Sequence, residues 1–162
     1  MKALVIYDSQ FGNTKKIAQT IAEGYSSEGE VEARHIGDVQ PDELRGLSVL
    51  ILGSPTQRFR PTEGTNDFIK AIERDVLSNT KVAAFDTRLT EEEIEKTGIL
   101  AFFVRIFDYA AKPIGDRLVK KGGELILPPE GFYVGGIEGP LLEGELDRAR
   151  SWGEEILHAA QG

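Results

Sequence analysis

The segment Tyr7 to Lys16, Y-D-S-Q-F-G-N-T-K-K, concentrates the side chains best suited to chemistry. It holds two hydroxyls (Ser9, Thr14), two amides (Gln10, Asn13), one glycine (Gly12) and an aromatic, Phe11. The apolar run Ala3-Leu4-Val5-Ile6-Tyr7 leads into it, and Ile17, Ile21 and Tyr25 lead out at helical spacing. A loop between a strand and a helix start is a cradle for an anion. Backbone N–H groups point outward there, the helix dipole favours negative charge, and small hydroxyls add hydrogen bonds. A phosphate can be held in this way without a lysine. The sequence lacks G-x-x-x-x-G-K-[ST] and G-x-G-x-x-G, so the P-loop and the dinucleotide fingerprint are excluded. An ordinary strand-to-helix turn with Thr14 near the N-cap is the other reading of these residues.

The elements that must position this loop alternate along the chain. Lys2–Tyr7, Val31–Ile36, Leu47–Leu52 and Lys81–Phe85 read as strands, and L-S-V-L-I-L is apolar enough for a strand covered on both faces. Helices are expected over Asn13–Ser27, Asn66–Leu77 and Leu142–Ala160 from their apolar periodicity. Thr90 with Glu93 forms a capping box for another helix, and Pro113 is expected to divide that helical region from Ile114–Lys121. Glu124–Val134 reads as a last strand at the sheet edge, because Pro128-Pro129 interrupts it. Strands alternating with helices in one domain imply an α/β, doubly wound parallel sheet with helices on both faces.

S-x-x-G-N-T directly after the first strand resembles the phosphate loop of the flavodoxin family, in which this loop wraps the 5′-phosphate of FMN. The resemblance implies a five-stranded flavodoxin-like sheet in the order 2-1-3-4-5. Ligands of such sheets bind beyond the carboxyl ends of the strands, where the strand order reverses, and flavodoxin is a known example of that rule. By the same resemblance, Ser9, Gln10, Phe11, Gly12, Asn13 and Thr14 are the candidate phosphate-binding residues.

The loop from Gly53 to Gly64, G-S-P-T-Q-R-F-R-P-T-E-G, resembles the flavin-contacting loop of flavodoxins and of related quinone reductases. Pro55, Thr56, Gln57, Arg58 and Phe59 are its candidate contacts. Phe59 is the expected packing partner of a flat ring, against the alternative that it folds back into the core. A third loop, Asp86 to Thr90, contributes Asp86, Thr87 and Arg88. Flavodoxins usually carry a second aromatic at this position, and here there is none. F-D-T-R, together with G-P-L-L-E-G-E-L at Gly139–Leu146 and R-A-R-S-W after Asp147, extends the resemblance to most of the chain outside Glu91–Asp108. Arg58, Arg60 and Arg88 would stabilise a reduced ring or grip a nucleotide phosphate, against the alternative of solvated side chains.

The resemblance implies an FMN-binding electron carrier that meets redox partner proteins. Two rivals stay open. One is an FMN-dependent NAD(P)H:quinone reductase, favoured by the loop arginines. The other is a flavin-free interaction domain, favoured by the missing aromatic and by Ile99 to Phe107, I-L-A-F-F-V-R-I-F, a candidate homodimer or partner contact.

Composition narrows the classes further. With 162 residues, 40% of them hydrophobic and 28% charged, the chain is long enough for one globular domain. Zero cysteines exclude disulfides, thiolate metal sites and thiol nucleophiles. His35 and His158 have no metal-ligand spacing. A net charge of -8 argues against nucleic acid and suits a basic protein partner. No apolar stretch reaches the ~18 residues of a membrane span, and Met1-Lys2 does not open a signal peptide, so a cytoplasmic location is expected.

Overall fold

The computed structural model describes residues 1–27, 29–57, 59–96 and 109–162. Six parallel strands form one sheet: β1 Lys2–Tyr7, β2 Glu30–His35, β3 Val49–Pro55, β4 Lys81–Leu89, β5 Glu124–Leu125 and β6 Glu130–Val134. Around them lie α1 Asn13–Tyr25, α2 Glu63–Ala71, α3 Glu91–Glu95, α4 Ala111–Lys120 and α5 Glu145–Gln161. The strand order is β2-β1-β3-β4-β5, as the resemblance implies, with β6 also paired to β4.

The central strands are apolar because both of their faces are covered. Alternate residues of each strand feed opposite cores. Leu4, Ile6, Leu50, Leu52 and Ala84 pack with Ile69 of α2 and with Ile114 and Leu118 of α4. Val5, Ile51, Ala83 and Phe85 pack with Ile17 and Ile21 of α1 and Trp152 and Ile156 of α5. Trp152, Phe85 and Phe132 meet edge to face, with centroids 6.1–6.3 Å apart, which places Trp152 in the core.

Several boundaries differ from the sequence reading, each for a local reason. The last strand is two segments on one edge: β5 pairs with Lys81 and Val82, and β6 pairs with Phe85 to Leu89. Pro128 and Pro129 lie between them, where they offer no ladder N–H. Helix α2 starts earlier and ends sooner than Asn66–Leu77. Thr62 Oγ1 caps it by accepting from Thr65 N at 3.2 Å, and Ile72 turns extended. Asp75 and Asn79 then take positive φ, which these residue types tolerate. Pro113 lies in the first turn of α4, where its missing N–H costs nothing. Helix α5 begins at Glu145 rather than Leu142, and Leu142 and Leu146 stand exposed outside its core stripe. The site depends most on β4. It runs as strand to Leu89, so Asp86 to Leu89 form a wall in register with β6 and not a free loop.

Candidate functional site

The carboxyl ends of β1, β3 and β4 converge on one cleft. Gln10, Phe11, Asn13 and Thr14 line it from the first loop and Pro55, Thr56 and Gln57 from the second. Thr87, Arg88 and Leu89 of β4, Val134 of β6 and Ile137 complete the wall.

The first loop is shaped by its own hydroxyls. Ser9 Oγ accepts from Gly12 N at 3.1 Å and from Lys15 N at 3.4 Å, folding the loop over its own helix start. Gly12 is the N-cap of α1 with φ 90, a backbone that L side chains rarely adopt. The first turn of α1 carries no acidic residue, so nothing opposes the positive end of its dipole. Among the described residues, the amides of Asn13 and Thr14 have no recorded protein acceptor. Thr14 is buried, and its hydroxyl meets that of Thr87 at 2.8 Å, pinning α1 to β4. Asn13 Nδ2 donates to Glu138 O at 3.1 Å and ties the loop to the segment that carries Ile137. This donor set suits a phosphate monoester.

The Asp8 carboxylate, at the start of that loop, is engaged by the loop itself, by β2 and by the cap of α2. Asp8 Oδ1 accepts from Ser9 N at 2.8 Å and lies 3.4 Å from His35 Nε2, while Oδ2 accepts from Thr62 Oγ1 at 2.6 Å. Thr62 N donates to Ser54 Oγ at 3.0 Å, and the Thr62 and Thr65 hydroxyls stand 2.8 Å apart. Asp8 thus links the first loop to the start of α2 through buried hydroxyls. Gly53 of β3, paired with Tyr7 and Phe85, leaves room for the Phe85 ring, which a Cβ at position 53 would overlap.

The second loop folds as a tight hairpin. Gln57 N donates to Arg60 O at 2.8 Å and Arg60 N to Gln57 O at 2.9 Å, with Phe59 at φ 64 at the tip. Thr56 N donates to Thr87 O at 2.9 Å, and Thr56 Oγ1 accepts from Ala110 N at 3.2 Å. Gln57 Nε2 donates to Gln10 Oε1 at 2.5 Å and bridges the two loops. Phe59 is half-buried and is not among the residues lining the cleft. Arg58 and the Ile99 to Phe107 segment lie outside the described residues.

Asp86 stands behind the wall instead of on it. Its side chain is 0% exposed, accepts from Arg88 Nε at 2.6 Å and Nη2 at 2.7 Å, and accepts from Ala111 N at 2.8 Å. Burial pushes the Asp86 carboxyl above its ordinary range, against the opposing pull of Arg88 and of the Ala111 amide. Leu89, Val134 and Ile137 are cleft residues that sequence reasoning missed. Leu89 follows from the two-residue period of β4 once the strand is extended. Val134 and Ile137 depend on the pairing of β6 with β4, and no local signal announces that pairing.

A family model described as a flavodoxin domain matches residues 4–122. The chain is 46% identical over 57 residues to a flavodoxin of Aquifex aeolicus, covering 34% of this chain and 31% of that protein. It is 31% identical over 114 residues to a flavodoxin of Maridesulfovibrio salexigens, covering 60% of this chain and 78% of that protein. The solved structure of a flavodoxin from the domain Archaea shares the fold, with TM-score 0.76, 20% identity and full coverage of both chains. The strand order, the anion cradle after β1 and the family match agree, and this chain belongs to the flavodoxin domain family.

Proposed function

We propose that this chain binds FMN and works in the cytoplasm as an electron carrier between partner proteins. One observation carries the reading: an anion cradle at the start of α1 runs directly into a slot walled by Pro55, Leu89, Val134 and Ile137. A phosphate monoester joined to a flat, largely apolar ring matches both halves. FMN, when bound, supplies the redox chemistry, and the protein supplies binding, orientation and charge.

The residues divide that work. Ser9 holds the loop closed over Gly12, and the Asn13 and Thr14 amides, at the start of α1, would donate to the phosphate. Thr14 and Thr87 fix the distance between cradle and wall. Gln10 and Gln57 offer amide groups at the mouth, where the polar edge of a ring would lie. Phe11, 46% exposed, and Ile137, 79% exposed, leave an apolar rim open to water, which suits a site that must come close to a partner. The net charge of -8 favours a basic partner by electrostatic steering, so exchange should slow as salt rises. No helix among the described residues is long and apolar enough to cross a membrane.

The test is the absorption spectrum of the purified protein after addition of excess FMN and desalting. Retained visible flavin bands are expected. After chemical reduction, the protein should pass electrons to cytochrome c and show negligible NADPH turnover with a quinone. Folded protein that retains no flavin would overturn the reading, and rapid NADPH turnover would replace the carrier by a reductase.

A further inference from the structure

Arg88 is held more tightly than a wall residue needs to be. Strand alternation places Asp86 and Arg88 on one face of β4, and Thr87 on the other against Thr14. The Asp86 carboxylate takes the guanidinium in two hydrogen bonds, at 2.6 and 2.7 Å. The Tyr109 ring covers the guanidinium, with Cζ 3.8 Å from its centroid. Gly131 of β6 lies on another side, where any Cβ would strike the Arg88 side chain. Arg88 contributes both to the cleft and to a neighbouring depression with Tyr109, Lys112 and Pro129. A fully buried carboxylate is costly in a fold unless it is paired, and this one is matched to a single cation beside the cleft. The pair is neutral overall, so the cleft meets a compensated guanidinium in place of a free positive charge.

We propose that Asp86 is a positioning residue that locks Arg88 in a neutral pair behind the cleft wall and so holds down the reduction potential of the bound flavin. The inference rests on the FMN reading above. Reduction adds negative charge at the cleft. An uncompensated Arg88 would stabilise that charge through the low-dielectric interior, and Asp86 cancels the effect.

The test is a redox titration of FMN-loaded wild type, Asp86→Asn, Arg88→Gln and the double variant. FMN dissociation constants of the oxidised forms and the near-ultraviolet circular dichroism of Trp152 are recorded alongside. Asp86→Asn should move the potential positive, raising the ratio of reduced to oxidised FMN affinity by about tenfold, the order Coulomb's law gives for one unit charge at low effective dielectric. Arg88→Gln should move it negative when measured at a pH high enough to keep the unpaired, buried Asp86 ionised. The double variant should return towards wild type, which a purely structural role of Asp86 would not produce. If Asp86→Asn does not fold, Arg88→Gln decides alone: a negative shift supports the proposal, and no shift or a positive one overturns it. Unchanged potentials in folded, FMN-loaded variants overturn the proposal and leave the FMN reading standing. A wild type that binds no FMN overturns both.

Discussion

At the Ser9–Thr14 end of the cleft, shape comes from hydrogen bonds that join different elements. Asp8 reaches Thr62, Thr14 reaches Thr87, and Asn13 reaches Glu138. Along its open rim, Phe11 and Ile137 are exposed apolar side chains, and the Gln57–Arg60 hairpin is closed by bonds between its own residues. The difference separates two tasks. An anion is recognised by fixed donors, whose geometry must exist before it arrives. A flat ring is recognised by area, and a partly open wall can give it up to a partner's approach. The cradle should therefore fix affinity, and the open end should fix exchange.

The comparison can be broken most severely at the cradle. Asn13→Asp adds a carboxylate beside the phosphate position while favouring the helix N-terminus. Like-charge repulsion of ~3 kcal/mol should weaken FMN binding by about 100-fold, and thermal stability should fall modestly, because a carboxylate cannot donate to Glu138 O as the Asn13 amide does. Riboflavin, which lacks the phosphate, should bind the variant and wild type alike, as read by fluorescence quenching.

Gly53→Ala tests the support beneath the second loop. A methyl group has no room beside the Phe85 ring, so the variant should lose about 3 kcal/mol in urea unfolding. Equal stability would mean that the Phe85 ring is free to shift away from β3, against the close packing at Gly53.

Ile137→Ala probes the open end. The side chain is largely exposed, so stability should stay within about 0.5 kcal/mol of wild type. FMN and riboflavin should both weaken, and by the same factor of about three to five, from the lost apolar contact. A loss confined to FMN would contradict the division between the two ends.

Tyr25→Phe is the control remote from both ends. The Tyr25 hydroxyl is buried with no hydrogen-bond partner among the described residues, and burial raises its pKa. Removing the hydroxyl should stabilise the fold by ~1 kcal/mol and leave FMN affinity alone. The pH dependence has a definite sign. The phenol ionises more readily in the unfolded chain, so wild type should lose stability as pH rises past about 10. Tyr25→Phe should lose less over the same window.

The cradle was legible in the sequence because its determinants are contiguous: a strand, a hydroxyl, a glycine and a helix start within Tyr7 to Lys16. The doubly wound sheet followed from the alternation of apolar runs and helical patterns, and its strand order from the resemblance of the loop after β1. The network behind the cradle was not legible, because Asp8 and Thr62 are 54 positions apart and neither has a distinctive neighbourhood. Ile137 escaped for the same reason: its place at the cleft depends on β6 running beside the end of β4. The Asp86–Arg88 pair was within reach, since residues two apart on a strand share a face. Reading Asp86 to Thr90 as a loop concealed it.

If FMN binds as proposed, the start of α1 anchors it by its phosphate. The most direct test is to titrate the flavin-free protein with FMN and with riboflavin under identical conditions. FMN should bind at least about 100-fold more tightly, as fixed donors to a charged phosphate require. Equal affinities would place the anchor elsewhere and contradict the account.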